Sequence, residues 1–551
     1  MKHPIYVRGP QAALLAVLGC LAAAPAQSTR RVSVDAQNNQ LPSGAIWTEL
    51  AENGRFVAFT TPDAVVPGDT NGVADAYVKD LITGAVVRAS LTASGVQPNG
   101  HCFQPKLSAD GRFVCFSSLA SNLAASDGNG TQTDVFVKDL QTGALEHVSR
   151  NNAGAGGNGV SAYPEISADG TTVVFYSYAS NLVANDTNSQ SDTFLFDRTT
   201  QQIECLSRDA NGVPVFGQLA SVSGDGRFVA FETVAAAAGQ PPSAGSGMAI
   251  ALRDRVLGTV TAVNLQGGVL MHATVPAIAA DGNTVMFGTS WSLDPADTDN
   301  ARDVYVVDRV SGTRSLMSPT TAGSATGCHV GGLSRNGRFV LFSSAEVFDA
   351  ADGNDASDVF LVDRATGALE RVSVGAAGAT GDAASASGSV SANGRFVAFS
   401  SAATNLVAGD TNAANDVFVR DRCPSATAQL YGSGFPGTAG QVPAFGLLGL
   451  PAIGSTPALA FGNTAGVSTV ALVVLGGQAL ALPTPVLGTL LVQPDVVQAL
   501  LLPPTGLVLP IGVPDVVDLC GVQLFVQALQ LDAGAAAGVA FSRGLQLTIG
   551  G

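Results

Sequence analysis

The chain has 551 residues, of which 64 are glycine, 13% are charged and 6% are aromatic, and its formal net charge is −16. This length exceeds one ordinary hydrophobic core unless the fold is a large repeat or ring, and the turn-rich composition is typical of all-β proteins. The acidic balance and the lack of a basic cluster exclude nucleic acid as an expected partner.

Residues 1–26 have the pattern of a secretory signal peptide. Lys2 and Arg8 form a positive region, an apolar stretch follows, and the small residues 24–26 supply a cleavage site. We therefore expect an exported protein, located in the periplasm, at the cell surface or outside the cell. Lipidation at Cys20 is an alternative, because the residues before it resemble a lipoprotein box. No later stretch has the pattern of a transmembrane helix.

Residues 27–422 contain a repeat of about 57 residues, which indicates a repeat architecture. The copy "LSADGRFVCFSS" begins at Leu107, and "VSANGRFVAFSS" at Val390 is another of seven. Each copy has one glycine at the same place, here called the anchoring glycine. The anchoring glycines are Gly54, Gly111, Gly170, Gly226, Gly282, Gly337 and Gly394.

Each copy has the pattern of four antiparallel strands. The Asp-Gly or Asn-Gly dipeptide between apolar runs is a strong hairpin signal, and an Asp-x-x-Thr-Gly type turn leads to the fourth strand. Four-stranded sheets repeated around an axis form a β-propeller. The seventh copy lacks its fourth strand, and Arg31–Val34 supplies one ahead of the first copy. We therefore predict a seven-bladed β-propeller that the N-terminal strand closes, in a protein that is a monomer.

The repeated run of Ser-Ala-Asp-Gly-Arg-Phe type, the aromatic residue after it and the Asp-x-x-Thr-Gly turn resemble the propeller repeats of the TolB family, which is related to the WD-repeat propellers. The resemblance covers about Arg31 to Arg422. It implies the propeller architecture and specifies no activity.

Residues 423–551 differ in character from the repeats. Short runs rich in valine and leucine alternate with glycine and proline, and we predict a small β-sandwich. The segment carries "YGSGFPGT" near its start and "GLQLTIG" near its end. It resembles C-terminal domains of large secreted bacterial proteins. Surface attachment, sorting and docking are open roles for it.

Six cysteines remain after the predicted signal peptide, and they lack the spacing of a metal site. We expect most of them to be buried free thiols. Cys423 and Cys520 are positioned to link the two ends of the C-terminal segment.

Acidic loops recur between the second and third strands of the predicted blades. In the loop "GDTNAANDVFVRD", which begins at Gly409, loop positions are counted from Asp410. Asp410, Asn412 and Asp416 then place oxygen-bearing side chains at positions one, three and seven, a spacing that fits calcium. The loop residues that we propose as calcium ligands are Asp69, Asn71, Asp75, Asp186, Asn188, Asp192, Asp297, Asp299, Asp303, Asp352, Asn354, Asp358, Asp410, Asn412 and Asp416. The alternative is that the same residues only shape turns.

An EF-hand is excluded by strand geometry. Position twelve of the loop is also acidic, but Asp416 and Asp421 lie about 16 Å apart along one extended strand. We instead expect Asp421 and its counterparts to open the next tight turn.

Three histidines and two cysteines fall near the start of the first strand of a blade, at the predicted mouth of the central channel. They are His101, Cys102, His272, Cys328 and His329. A transition metal at this place is one reading and ordinary channel lining is the other. No G-x-S-x-G run is present, which argues against a serine peptidase.

The function we expect from the sequence is that of an exported, non-enzymatic scaffold with no certain cofactor. It would bind a protein or a glycan on the long-loop face, since function in such rings resides on loops. A propeller enzyme acting on polysaccharide, as a lyase or a hydrolase, is the first alternative. A structural cell-surface protein anchored by its C-terminal domain is the second.

Overall fold

A computed structural model describes residues 28–125, 127–238, 248–318, 327–349, 352–375, 378–423, 426–514 and 519–550. The predicted signal peptide and Cys20 lie outside these ranges. The chain divides into two compact units, one of Thr29–Arg420 and one that contains Asp421–Gly551. Within the described ranges, no helix has the length and apolar character needed to cross a membrane.

The Thr29–Arg420 unit is built almost wholly from short strands. In chain order, β1–β30 are Ser28–Arg31, Ile46–Leu50, Phe56–Thr61, Asp75–Asp80, Val86–Arg88, Cys102–Leu107, Phe113–Ser118, Asp134–Asp139, Leu145–His147, Ser161–Ile166, Thr172–Ser177, Asp192–Asp197, Gln202–Cys205, Gly217–Val222, Phe228–Thr233, Ala249–Asp254, Thr259–Ala262, Leu265–Gln266, Val269–Leu270, Thr274–Ile278, Thr284–Thr289, Asp303–Asp308, Arg314–Leu316, His329–Leu333, Phe339–Ser344, Asp358–Asp363, Ala368–Arg371, Ser385–Val390, Phe396–Ser401 and Asp416–Asp421.

These strands form seven four-stranded antiparallel sheets in the part of the chain that the structure describes. Sheets one to four are β2–β5, β6–β9, β10–β13 and β14–β17; sheets five and six are β20–β23 and β24–β27; sheet seven has the order β1-β30-β29-β28. The pair β18 and β19 forms a separate hairpin. The first strands of successive sheets contact one another, and β28 contacts β2. The unit is therefore all-β and β-propeller-like.

The N-terminal strand β1 pairs with β30 and supplies the fourth strand of sheet seven. The ladder ends at Arg31, earlier than the predicted Val34. The reason is that the backbone N–H groups of Val32 and Ser33 both donate to the carbonyl of Val417, at 2.7 and 3.4 Å, so the chain leaves the regular pairing there.

The anchoring glycines join each sheet to the one before it. Gly111 has a φ of +75°, and a Cβ at this position would overlap the Phe56 ring of sheet one. Gly54 of sheet one has the same relation to Phe396 of sheet seven. In the sequence, this phenylalanine directly follows the anchoring glycine and the arginine of its own hairpin. Each "GRF" run therefore supplies its glycine to the contact with the preceding sheet and its phenylalanine to the contact with the next sheet. In sheets three and five a threonine replaces this phenylalanine, and Thr172 and Thr284 lie under the next glycine.

The arginine of the "GRF" run pairs with the aspartate that ends the third strand. Arg112 Nη2 lies 2.7 Å from Asp139 Oδ2, and the guanidinium also lies over the Phe113 ring. Asp139 Oδ1 accepts from the backbone N–H of Gln141 at 2.9 Å. In sheet one, Asp80 Oδ1 accepts in the same way from the backbone N–H of Ile82 at 2.9 Å, so the aspartate at loop position twelve opens the next tight turn.

The described part of the Asp421–Gly551 unit also consists mainly of strands and includes a short 3-10 helix at Thr438–Gly440. In chain order, β31–β41 are Thr427–Tyr431, Phe445–Leu448, Ala458–Phe461, Thr469–Gly476, Ala479–Pro483, Thr489–Val492, Val496–Leu502, Leu507–Pro510, Gln523–Leu531, Val539–Phe541 and Gly544–Thr548. A six-stranded sheet (β31-β41-β39-β34-β37, with β40 on β39) and a three-stranded sheet (β32-β33-β38) share one hydrophobic core.

The cysteines behave as the sequence predicts. Cys423 and Cys520 form a disulfide that closes a loop with a sequence separation of 97. Cys102, Cys115, Cys205 and Cys328 are buried free thiols.

The contact between neighbouring sheets predicts a penalty for Gly111→Ala. The substitution should lower the free energy of unfolding by about 2–4 kcal/mol, from left-handed strain and from overlap with Phe56. Gly143→Ala is the matched control, since Gly143 has a φ of +76° and open space around its Cβ position. It should cost only about 1 kcal/mol. Equal losses for the two variants in denaturant unfolding would contradict the proposed contact.

The disulfide predicts a reductant-sensitive unit. Replacing Cys423 and Cys520 together by serine should lower the stability of the Asp421–Gly551 unit by about 2–5 kcal/mol, because the closed loop is long. Reductant should lower the thermal transition of the wild type and leave that of the double variant unchanged. A transition of the wild type that does not respond to full reduction of the bond would contradict this.

Candidate functional site

The first strands of the seven sheets line a central cavity of about 660 Å³. Its walls come from β2, β6, β10, β14, β20, β24 and β28 and the turns that follow them. A concave site at the centre of a rigid ring, with a few convergent polar groups, is a common location for a binding or active site.

Every one of these first strands contains a β-bulge. In β2 the register shifts between Ile46 and Glu49, and in β6 it shifts between Phe103 and Lys106. Five non-glycine residues at the bulges have a positive φ, each seven positions before an anchoring glycine. They are Trp47, Gln104, Tyr163, Leu219 and Val275. A positive φ is costly for such residues, and bulges re-aim side chains next to functional sites.

Aromatic side chains lie at one end of the cavity. The rings of Trp47 and Tyr163, from sheets one and three, meet edge to face with their centroids 6.0 Å apart. Tyr163 stacks on Tyr176 at 5.6 Å, and Tyr176 meets Tyr178 edge to face. Trp47 is 41% exposed and Tyr163 is 38% exposed. The cluster therefore offers a partly exposed aromatic surface at the cavity.

Three charged side chains from adjacent sheets form an ion cluster in the cavity wall. Lys106 Nζ lies 3.1 Å from Glu49 Oε2 and 2.8 Å from Glu165 Oε1. All three residues occupy the same place in their repeats, five positions before the anchoring glycine. The contacts use one oxygen of each carboxylate, Oε2 of Glu49 and Oε1 of Glu165.

The pKa values of Glu49 and Lys106 are both raised, but for different reasons. Burial raises the pKa of Glu49, and the Lys106 ammonium opposes that rise. Burial also lowers the pKa of Lys106, but the carboxylates of Glu165 and Glu49 outweigh it, so that the net pKa of Lys106 is raised. Lys106 is therefore a stable ammonium, while Glu49 holds its proton to a higher pH than an ordinary carboxyl.

An arginine crosses the cavity at the end where the tight turns lie. Arg335 of sheet six contacts Glu52 of sheet one, with Nε and Oε1 3.0 Å apart. It donates from Nη1 to the carbonyl of Val222 at 2.8 Å and from Nη2 to that of Ile166 at 3.1 Å. One side chain thus links sheets one, three, four and six beneath the ion cluster.

The predicted acidic loops lie away from this cavity, and in three sheets an arginine is paired with them. Arg88 contacts Asp69 at 2.9 Å and Asp75 at 3.4 Å. The third-position Asn71 donates to the carbonyl of Pro98 at 3.0 Å.

Sheet six pairs Arg371 with Asp352 and Asp358, and Asn354 donates to the carbonyl of Gly381. Sheet seven pairs Arg31 with Asp410 and Asp416, and Asn412 donates to the carbonyl of Leu41.

The loops of sheets three and five have other arrangements. In sheet three the Asn188 amide donates to both oxygens of Asp192, at 3.1 and 3.0 Å. In sheet five Asp297, Asp299 and Asp303 each offer an oxygen within 4.8 Å of the others. These three are the only such group of three or more candidate metal ligands among the described residues. An acidic triad that could hold a metal is therefore present, while calcium at the other loops stays a prediction.

The five channel-mouth candidates do not line the cavity. His101 Nδ1 accepts from the backbone N–H of Ala74 at 2.9 Å, and His272 Nδ1 accepts from that of Met248 at 3.0 Å. His329 is exposed at the start of β24. Cys102 and Cys328 are buried, and burial raises the pKa of each thiol to about 12. A metal role for these residues stays a prediction.

Sequence reasoning missed Glu49, Lys106, Glu165 and Arg335 as site residues. The first three immediately precede the repeat segments used to align the copies, and Arg335 occupies a variable position within its copy. Extending the alignment by one residue would have shown charged side chains at one position in three consecutive copies.

Comparisons with known proteins found no matching family model and no matching curated protein. Among solved structures, an oligogalacturonate lyase in complex with manganese is 14% identical, covering 73% of this chain and 97% of its own, with a TM-score of 0.43. An oligogalacturonate lyase from Vibrio parahaemolyticus is 13% identical, covering 72% and 98%, with a TM-score of 0.42. The dipeptidyl peptidase 4 of Porphyromonas gingivalis is 12% identical, covering 76% and 57%, with a TM-score of 0.37.

These comparisons correct the functional expectation. The named structures agree better with the polysaccharide-acting alternative than with the non-enzymatic scaffold expected from the sequence, and the scaffold is not proposed again. The sequence did not indicate the ion cluster of the cavity, because that cluster is assembled from three repeats and no single repeat contains it.

The ion cluster predicts a pH-dependent cost for Lys106→Met. Without the ammonium, the pKa of Glu49 should rise further above the value of about 4.3 for an unfolded chain. A carboxyl whose pKa is higher in the folded than in the unfolded protein adds stability that is fully present below the unfolded pKa. That stability is lost as the pH rises through the folded pKa. The variant should therefore unfold more easily than the wild type by about 1–3 kcal/mol at pH 8, and by less at pH 4.5.

Lys106→Arg is the matched control for this substitution, because it keeps the positive charge. Denaturant unfolding at the two pH values measures the effect. A deficit for Lys106→Met that is the same at both values would contradict an ion cluster of this kind.

Proposed function

We propose that this protein cleaves a polysaccharide in the central cavity, by hydrolysis of a glycosidic bond. The observation that carries the proposal is the Glu49–Lys106–Glu165 cluster in the cavity wall. In this cluster Glu49 supplies the acid, Glu165 supplies the second carboxylate, and Lys106 holds both in place.

The two carboxylates have the relation that glycoside hydrolysis requires. Because both contact one ammonium, they lie within about 6 Å of each other, close to the separation in retaining glycosidases. In that chemistry a carboxylic acid protonates the leaving oxygen, and the second carboxylate attacks the anomeric carbon before water releases the sugar. Glu49 fits the acid, since burial raises its pKa. Glu165 fits the nucleophile.

The aromatic end of the cavity supports a sugar ligand. Trp47 and Tyr163 present partly exposed rings beside the ion cluster. Aromatic rings supply broad apolar contact area, against which the C–H face of a pyranose can pack. We infer that these two residues position the sugar chain over Glu49 and Glu165.

The charge of the cavity favours hydrolysis of a neutral glycan over elimination from an acidic one. The charged residues that line it are Glu49, Glu52, Glu165, Lys106 and Arg335. Their formal sum is negative, and both cations are already paired with glutamates. A uronate carboxylate would find no unpaired cation among them, which makes a uronate lyase the second candidate.

We infer a seven-bladed β-propeller for the repeat region and a β-sandwich for the C-terminal unit, with the seven four-stranded sheets and the shared core of the two C-terminal sheets as support. We also propose that the protein is exported. The Cys423–Cys520 disulfide supports this, since such bonds persist in oxidising compartments.

The experiment is an activity screen of the purified protein against neutral glycans and polygalacturonate. Hydrolysis should release new reducing ends without the ultraviolet absorbance of an unsaturated uronate. Glu49→Gln and Glu165→Gln should each lower kcat at least about 100-fold on the cleaved substrate. Trp47→Ala should raise KM more than it lowers kcat.

Glu146→Gln is the matched control for the glutamate substitutions. Glu146 is also partly buried and paired with an arginine, Arg198 at 2.7 Å, but it lies outside the cavity lining. It should leave kcat unchanged. Full activity in Glu49→Gln and Glu165→Gln would contradict the assignment, and an unsaturated product would replace hydrolysis with the lyase alternative.

A further inference from the structure

The acidic loops of sheets one, six and seven share a built-in counter-charge. The arginines are Arg88, Arg371 and Arg31, and each lies two residues before a serine of the fourth strand or its extension. That serine donates a hydrogen bond to the aspartate at loop position seven. In sheet six, Arg371 contacts Asp352 and Asp358 at 3.4 and 3.3 Å, and Ser373 Oγ donates to Asp358 at 2.5 Å. A guanidinium therefore lies where a cation would bind both carboxylates.

Sheet five keeps the acids and lacks the arginine. Ser318 Oγ donates to Asp303 Oδ1 at 2.6 Å, which fixes the register, and the residue two positions before it is Leu316. No lysine or arginine forms an ion pair with Asp297, Asp299 or Asp303 among the described residues. This loop also has a third carboxylate, Asp299, where the other three have asparagine.

Two buried oxygens in this loop have no hydrogen-bond partner in the described structure. Asp297 is 7% exposed and Asp303 is 3% exposed. Asp297 Oδ2 accepts from the Tyr305 hydroxyl at 2.6 Å, which leaves Oδ1 unpaired. Asp303 Oδ1 accepts from Ser318, which leaves Oδ2 unpaired. Burial without a partner is expensive for a carboxylate, and the usual remedies are an ion pair or a metal.

We propose that sheet five holds one divalent cation on Asp297, Asp299 and Asp303, and that the arginines of sheets one, six and seven replace such an ion in their loops. Oxygen-only ligands select a hard cation, so calcium is the first probe and magnesium and manganese are the comparisons. Further ligands would come from backbone carbonyls and water. The site stabilises sheet five and is independent of glycan cleavage in the central cavity.

The experiment titrates the chelator-treated full-length protein with calcium chloride by calorimetry and follows thermal unfolding with and without the ion. We expect a stoichiometry of one and a higher Tm with calcium. Asp297→Asn and Asp303→Asn should each weaken binding at least 10-fold. Asp352→Asn in sheet six is the control and should leave the stoichiometry at one.

Two exchange variants test the arginine argument directly. Leu316→Arg should supply the missing counter-charge, abolish calcium binding and make the Tm insensitive to chelator. Arg371→Leu should remove the positive charge from the acidic loop of sheet six and raise the number of calcium ions bound per protein from one to two. If Arg371→Leu does not fold, Leu316→Arg alone still decides the matter.

Several results would overturn the proposal. They are the absence of heat and of any Tm shift with calcium, magnesium and manganese, binding retained in Asp303→Asn, or unchanged binding in a folded Leu316→Arg protein.

Discussion

Each anchoring glycine lies against a phenylalanine or a threonine of the preceding sheet, and this contact sets how closely neighbouring sheets approach. The glycine needs a left-handed backbone to turn the hairpin, and it needs the absence of a Cβ to admit its neighbour's side chain. Because Gly54 makes the same contact with sheet seven, the spacing repeats without interruption around the ring. The central cavity exists because seven first strands are held at this separation.

The residues that face the cavity are free of this constraint, and they differ from copy to copy. The bulges turn Trp47 and Tyr163 toward the cavity end, while Glu49, Lys106 and Glu165 occupy one repeat position in three consecutive sheets. Arg335 then crosses beneath them to Glu52. The ring thus separates two tasks: repeated residues fix the spacing of the sheets, and variable residues in the first strands give the cavity its chemistry.

The acidic loops follow the same division. Their backbone shape recurs because aspartate and asparagine bond to nearby N–H groups, but the groups that meet their charge differ from sheet to sheet. Arginine at that position gives an internal ion pair, and Leu316 in sheet five leaves two buried carboxylate oxygens unpaired. Two differences within a repeat, Leu316 for arginine and Asp299 for asparagine, therefore separate a structural ion pair from a candidate cation site.

The sequence predicts much of the scaffold because its signals are local. The hairpin glycines, the turn-opening aspartates and the missing fourth strand of the last copy are all visible over short stretches, and β1 does pair with β30. The site could not be predicted in the same way. Lys106 meets Glu49 and Glu165 across residue separations of 57 and 59, and the pairing of Arg31 with Asp410 joins opposite ends of the repeat region. The Lys106 contacts arise only when neighbouring sheets pack, and the Arg31 contact only when the N-terminal strand joins sheet seven, so local sequence patterns did not predict them.

The most direct measurement of the central claim is a crystal structure of the Glu49→Gln protein with an oligosaccharide that the wild type cleaves. The account predicts an uncleaved chain in the cavity, with one sugar ring against Trp47 or Tyr163 and a glycosidic oxygen beside residue 49. A chain bound on the acidic-loop face, with the cavity free of sugar, would contradict it.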